Sequence, residues 1–343
     1  MTLHVAVLGA GFVGQVHLEA CFAHEAVSAV SVAEADRRLL EAARGKYALK
    51  RVEADYHTLL DDPSVDIIDI CLPHDLHYPV ALEAFAAGKH VVIEKPISNT
   101  LAEADAMIAA AERAGRRFYV ALNQRFLPVH QEVKRLLDEG FIGAPVMAAL
   151  TIAGTELERM QQPGHWKGTF GRAGGGALAD SGTHIVDLAH YWFGPPAAVQ
   201  CHMGRYAVEA VNKADDTAVL VLSYPGMTAA LAVTYAAGGL PWSETRQLWS
   251  EEATVHVRLE AEEPLSVWKR GERVPRPVAH DALWWPYSVK LGVAHALDCL
   301  AHDKPFAVTP HNARDALRTI RAAYRAAQEG RQVQWAGYEE GAL

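Results

Sequence analysis

The sequence predicts an α/β protein: a doubly wound parallel sheet first, then an α+β domain built on a largely antiparallel, open sheet. Three observations carry this expectation. The β-branched run His4–Leu8 feeds a glycine-rich turn and then helix-compatible sequence, the order of a strand–turn–helix unit. Apolar strands then alternate with helical patterns as far as Leu122, which is how a parallel sheet is built. From about Leu127 the pattern changes to a series of strand-like segments closed by two helices. A chain of 343 residues accommodates two domains at roughly 100–200 residues each, and the change of character places them at 1–125 and 126–343.

Composition narrows the function classes. Half of the residues are hydrophobic and 21% are charged, enough to bury a full core. No stretch reaches the ~18 consecutive apolar residues that span a bilayer, so no membrane partner is expected. The net charge of −9 argues against nucleic acid, whose phosphates select basic surfaces. The opening MTLHVAVLGAG has no basic region leading to a small-residue cleavage site, so no secretory signal is expected. Cys21, Cys71, Cys201 and Cys299 form no CxxC pair. Reduced thiols in a cytoplasm are expected rather than a disulfide framework or thiolate metal cluster.

The first strand runs into Gly9-Ala10-Gly11-Phe12-Val13-Gly14, a G-x-G-x-x-G turn opening a helix. The first glycine permits the tight turn, the second lets a pyrophosphate approach the backbone, and the third lets helix pack on strand. The helix N-terminus then offers N–H groups and a positive dipole end to the phosphates. The second strand, Val27–Ala33, ends at Glu34, where a carboxylate accepts hydrogen bonds from ribose hydroxyls and repels a 2′-phosphate. NAD is the expected cofactor. Arg37 and Arg38 keep NADP open as the alternative, although in a first helical turn they are read as solvated.

Asp66–Cys71, His90–Ile93 and Phe118–Leu122 are the next strands, with helices over Leu76–Ala87 and Leu101–Ala114. Parallel sheets bind ligands at the carboxyl ends of their strands. Those ends carry Pro73-His74-Asp75-Leu76-His77, Glu94-Lys95-Pro96 and Asn123-Gln124-Arg125. A charged pair directly after a buried strand is costly unless it faces a polar cleft, and a proline stops the ladder. His77 and Asn123 fit a cofactor or substrate contact and a loop cap equally well. Arg116-Arg117 reads as a solvated helix end.

In the second half a helix over Val129–Glu139 leads to a strand at Val146–Ala153. The glycine- and proline-rich connection Gln161–Gly176 carries Trp166, Lys167 and Arg172. These are candidate substrate contacts, or else belong to a surface loop. A helix over Ala179–Phe193 ends at Gly194-Pro195-Pro196. Strands follow at Val199–Tyr206, Thr217–Tyr224, Thr228–Tyr235, Thr254–Leu259 and Leu265–Trp268, then helices at Ser288–His302 and Asn312–Glu329. Asp180, His184 and Asp187, spaced four and three apart, share a helix face. His74/His77 and His184/Asp187/His190 lack an H-E-x-x-H signature, so no metal is expected.

These motifs together resemble the Gfo/Idh/MocA oxidoreductases. The resemblance rests on Gly9–Gly14 with His17, Pro73-His74-Asp75-Leu76-His77, Gly88-Lys89-His90-Val91 and Glu94-Lys95-Pro96. It continues through Gly174-Gly175-Gly176-Ala177-Leu178-Ala179-Asp180-Ser181-Gly182-Thr183-His184 and Asp187. It covers residues 3 to about 330. It implies an N-terminal Rossmann domain for NAD(P) over 1–125 and a substrate-binding and oligomerisation domain over 126–343. It also implies a cis Lys95–Pro96 peptide and a homodimer or homotetramer. Carried over, the catalytic residues are Lys95, Asp180 and His184. The cofactor set is Gly9, Gly11, Phe12, Val13, Gly14, Glu34, Pro73, His74, His77, Glu94, Lys95, Pro96 and Asn123. Lys95, Arg125, Trp166, Lys167, Arg172, Asp180 and His184 face the substrate, a sugar, inositol or related polyol.

The residue types suit oxidation of a secondary alcohol. A histidine with an ordinary pKa near ~6.5 can take the hydroxyl proton, and a lysine stabilises a developing alkoxide. Which of Lys95 and His184 takes the proton stays open, because neighbouring titrations couple. Two other activities use the same fold. An NAD-dependent glycosidase, oxidising its sugar transiently, would need the same reacting groups. A non-catalytic NAD-binding regulator would be expected to lack Lys95, Asp180 and His184. His74-Asp75 stands where family members more often carry an asparagine-containing loop, and Glu34 where aspartate is common.

Overall fold

The computed structural model describes residues 2–207, 214–239, 242–278 and 285–341. They fall into two compact units, Met1–Asn123 with Trp285–Arg314, and Gln124–Trp284 with Asp315–Leu343.

The first unit holds β1 (Leu3–Leu8), β2 (Val27–Ala33), β3 (Arg51–Glu53), β4 (Ile67–Ile70), β5 (His90–Ile93) and β6 (Phe118–Val120). They form one parallel sheet in the order β3-β2-β1-β4-β5-β6. β1 and β4 are buried along their whole length, as expected for a sheet covered on both faces. The strand order reverses between these two, which makes their carboxyl ends the ligand-binding position of such sheets. The helix Leu101–Ala114 starts at a Thr100/Glu103 capping box and ends at Gly115 with φ of 59°, a left-handed cap that glycine adopts without strain.

The expected contiguous boundary at 125 is corrected by the last third of the chain. The helix Trp285–Ala301 packs on the helix Phe12–Ala23. The Phe12 and Trp285 rings are 4.7 Å apart, and Lys290 Nζ reaches the Glu19 carboxylate at 2.8 Å. Arg117, expected to be solvated, donates to the Cys299 carbonyl and to Asp303, and lies 4.3 Å from the centre of the Phe306 ring. An apolar stripe says that a helix packs, but it does not say against what.

The second unit holds β7 (Pro145–Ala153), β8 (Ala198–Gly204), β9 (Thr217–Tyr224), β10 (Met227–Thr234) and β11 (Ser243–Ser250). It also holds β12 (Ala253–Arg258), β13 (Leu265–Lys269), β14 (Glu272–Val274) and β15 (Val333–Gln334). Their order is β14-β13-β12-β11-β7-β10-β9-β8-β15. Every neighbouring pair is antiparallel except β7–β10. The helix Pro310–Glu329 buries Ala316, Leu317, Ile320, Ala323 and Tyr324, the stripe expected from their spacing.

Two of the departures from expectation bear on the site. The single helix over Ala179–Phe193 is two, Ala177–Asp180 and Gly182–Phe193, with Ser181 between them. Serine and glycine are weak helix formers, and the Ser181 hydroxyl is instead bonded to the Tyr235 hydroxyl at 2.6 Å. β11 was not expected at all, although it pairs with both β7 and β12.

Candidate functional site

In the first unit the glycine turn follows β1. Gly9 has φ of 98°, and a Cβ there would sit 2.5 Å from the Cys71 carbonyl oxygen. A Cβ on Gly14 would sit 2.0 Å from the Gly9 carbonyl oxygen. Both glycines are therefore required by the protein's own backbone. Gly11 differs, because a Cβ there would meet nothing within 4 Å. That bare position heads the helix Phe12–Ala23, where N–H groups and the dipole favour a phosphate. The turn thus fits a dinucleotide pyrophosphate.

A pair of variants separates these roles. Gly11→Ala is expected to leave the melting temperature unchanged while weakening NADH binding by about tenfold or more. Gly14→Ala is expected to lose stability as well, by about 1–3 kcal/mol from overpacking. Fluorescence titration with NADH and thermal denaturation read the two effects.

Glu34 lies at the end of β2, partly exposed. Its carboxylate accepts the Ala10 N–H at 2.7 Å and the Asp36 N–H at 2.8 Å. It is therefore fixed beside the glycine turn, where a ribose diol would meet it. Arg37 and Arg38 are exposed at the start of their helix.

The residues after β4 and β5 are tied together. Both nitrogens of His77 face backbone carbonyls, Pro96 at 2.8 Å and Leu72 at 3.0 Å. His77 is wholly buried, and burial holds its pKa below the ordinary value despite those carbonyls. Its ring is thus committed to joining the two loops, with His74 buried 5.6 Å away, ring to ring. The Lys95–Pro96 peptide is cis, as the resemblance implied. Lys95 is partly exposed, and its N–H donates to the Glu94 carboxylate at 3.2 Å. Asn123 donates its amide to Ser288 Oγ at 2.7 Å.

His17 anchors Glu94 from below. Its Nδ1 lies 2.9 Å from Asp69 Oδ2, and its Nε2 lies 3.1 Å from Glu94 Oε1. The ring is fully buried. Burial opposes its charge, but Asp69 overcomes this and holds the imidazole well above its usual pKa. An imidazolium donating to two carboxylates is the species this geometry fits. Asp69, His17 and Cys71 also bring potential ligand atoms within 4.8 Å of one another. Burial pushes the Cys71 thiol up to about 12, so without a bound ion it is protonated at neutral pH.

A raised histidine pKa stabilises the fold fully below the unfolded value near ~6.5 and ceases to do so as pH rises through the folded value. The stability difference between the wild type and His17→Gln is therefore expected to be largest in mild acid and to shrink in alkali. Urea denaturation across that range measures it.

The second unit gathers another cluster. Asp180 Oδ2 accepts Lys167 Nζ at 2.8 Å and the Tyr235 hydroxyl at 2.8 Å. Lys167 also lies 3.6 Å from Glu156. Burial works against the Lys167 charge, but Asp180 and Glu156 raise its pKa overall. Lys167 is therefore part of the cluster rather than of a free surface loop. Trp166 is partly exposed, its ring 5.8 Å from Lys167 Nζ. Arg172 is partly exposed in the short helix Phe170–Ala173. His184 is partly exposed in the first turn of Gly182–Phe193.

Arg125, expected to contact substrate, forms a buried ion pair with Asp187. Its Nε donates to Asp187 Oδ2 at 2.9 Å and its Nη2 to Asp187 Oδ1 at 2.5 Å, with Asp187 buried. The guanidinium also lies 5.2 Å from the centre of the Tyr191 ring. Sequence reasoning missed Glu156, Tyr235, Trp242 and Glu244. Glu244 is buried and accepts Trp242 Nε1 at 2.9 Å, Gln124 Nε2 at 3.2 Å and Arg246 Nη2 at 2.5 Å. Burial raises its pKa, but Arg246, the Trp242 N–H and the charge of His184 bring it below the usual value. No single one of these four residues carries a motif.

Among the described residues, no helix is long and apolar enough to cross a membrane. Residues 3–122 match the family described as "Oxidoreductase family, NAD-binding Rossmann fold", and residues 130–255 match the GFO/IDH/MocA C-terminal domain. Levoglucosan dehydrogenase of Pseudarthrobacter phenanthrenivorans is 32% identical over 219 residues, 60% of this chain and 55% of that enzyme. The chain thus aligns with little more than half the length of that relative. D-apiose dehydrogenase of Paraburkholderia graminis is 28% identical over 345 residues, 96% of this chain and 88% of that enzyme. Myo-inositol 2-dehydrogenase of Thermotoga maritima is 27% identical over 225 residues, 65% of each chain. A solved structure of levoglucosan dehydrogenase with NADH and levoglucosan superposes with a TM-score of 0.87 at 24% identity, covering 97% of this chain and 99% of that one. With both family domains matched in order, the chain belongs to the Gfo/Idh/MocA oxidoreductases, and residues 3–122 are their NAD-binding Rossmann domain.

Proposed function

We propose that the protein is an NAD-dependent dehydrogenase of a secondary hydroxyl on a sugar, inositol or related polyol, with Lys95, Asp180 and His184 as its reacting groups. The observation that carries this reading is the Asp180 cluster. Its carboxylate is fixed by Lys167 and Tyr235 at the head of the helix carrying His184. The named relatives, dehydrogenases of levoglucosan, apiose and inositol, support the substrate class.

NAD, held by the Gly9–Gly14 turn and Glu34, would supply the hydride acceptor for the carbinol carbon. The hydroxyl proton passes to His184 or Lys95, so the alcohol becomes a ketone with loss of one hydride and one proton. Lys95 stabilises the oxygen as it becomes an alkoxide, and Asp180 orients the hydroxyl. Glu34 favours NAD over NADP by accepting the ribose hydroxyls.

Two further readings accompany the activity. The open face of the second sheet exposes Met147 and Val219, with Val146 beside them, a surface suited to pairing with a second copy; light scattering after gel filtration measures the state. The four free cysteines fit a reducing cytoplasm.

The test is absorbance at 340 nm against free sugars, inositols, sugar acids and glycosides, with NAD and NADP side by side. Reduction of NAD by one of the polyols supports the proposal. Release of an aglycone without net NADH would replace it with the glycoside-cleaving activity.

A further inference from the structure

Trp242 immediately precedes β11 and shares the parity of Glu244, Arg246 and Leu248, three residues that point to the buried face of the sheet. Arg246 is wholly buried, and its guanidinium holds Glu244. Glu244 in turn accepts the indole N–H of Trp242 at 2.9 Å. On one side the indole lies against the bare backbone of Gly154, where a Cβ would sit 2.2 Å from the ring carbon Cε3. The Tyr235 ring lies 6.1 Å away at 45°, and the Tyr235 hydroxyl is bonded to Asp180 at 2.8 Å.

The indole is thus held from three directions yet remains 38% exposed. A tryptophan fixed by its N–H and by ring contacts, with apolar surface left open, is an arrangement found where an aromatic face meets a ligand. One tyrosine separates it from the carboxylate assigned to the reaction. The C–H groups on one face of a pyranose or furanose suit a π face, whereas an open-chain polyol presents no such flat face.

We propose that Trp242 is a stacking platform for the C–H face of a cyclic sugar, seated by Gly154, Tyr235 and Glu244, and that it selects ring-form substrates over open-chain polyols. This deepens the proposed function and rests on it for the reaction, but not for the binding. Gly154 and Glu244 are its positioning residues.

The experiment compares wild type, Trp242→Phe and Trp242→Ala, each loaded with NAD. Methyl β-D-glucopyranoside, locked in ring form with axial C–H groups on its faces, and sorbitol, an open-chain hexitol, are the probes. Calorimetry reads binding, and absorbance at 340 nm reads turnover. The expected result is a loss of glucopyranoside affinity of about tenfold or more in Trp242→Ala, largely restored in Trp242→Phe, with sorbitol unaffected. Where the glucopyranoside turns over, KM rises by the same factor and kcat changes little. Equal losses for both probes, or none for the glucopyranoside, would overturn the platform, as would wild type that binds neither. Ring-selective binding lost in Trp242→Ala without turnover of either probe keeps the platform and counts against the dehydrogenase reading.

Discussion

Lys95→Met is expected to reduce turnover by about 100-fold or more while leaving NADH affinity near that of wild type, the scale of losing a general acid/base or electrostatic group. Methionine keeps the length and most of the volume of the lysine stem, so the change removes charge more than bulk. Glu94, His17 and the Pro96 carbonyl bond to His77 all remain, so the turn around position 95 keeps its supports. His184→Ala is expected to fall by a similar factor. The pH profile then distinguishes the roles: the group that takes the proton loses its limb of the kcat profile when it is removed. Steady-state rates over pH 6–10, with NADH titrations alongside, provide the measurement. Near-normal turnover in both variants would sink the assignment of the reaction to these residues.

Asp187→Ala is expected to destabilise the second unit by about 3–5 kcal/mol, because it leaves the Arg125 guanidinium without its carboxylate. The pair is itself costly. Burial outweighs the guanidinium and holds Asp187 above the ordinary carboxylate range. Replacing both residues by apolar ones of similar volume, Arg125→Met with Asp187→Leu, is therefore expected to cost much less than the single change. Urea denaturation of the two single variants and the double gives the coupling. Additive losses would show that the two side chains act independently.

Legibility in the sequence followed chemistry that must be local. The β1 turn could be read because its glycines, its helix and Glu34 all lie within about thirty residues, Gly9 and Gly14 demanded by the backbone of the turn and Gly11 and Glu34 by the nucleotide. Lys95, Asp180 and His184 stood out through the family pattern, not through periodicity. β11 was not legible because its inward positions are Glu244 and Arg246, followed only then by Leu248. A strand is recognised by apolar residues at every second position, and here a buried ion pair takes their place. The Arg125–Asp187 pair was not legible for a related reason. The position of Arg125 after β6 suggests a ligand contact, while Asp187 lies 62 residues away. The Tyr235 bond to Asp180 spans 55 residues, a distance over which no sequence pattern operates.

The chain leaves its first unit at Asn123 and returns to it at Trp285, and this ordering bears on how the protein is made. A ribosome delivers all six strands of the parallel sheet early, but the helix that covers Phe12–Ala23 arrives only after the whole second sheet up to β14 has been synthesised. Until then the apolar surface on that side of the nascent nucleotide domain has no cover, and it is open to chaperones. A fragment ending at residue 125 would keep that exposure permanently. Fusing residues 1–123 to 285–314 through a short flexible linker would restore the cover over Phe12–Ala23.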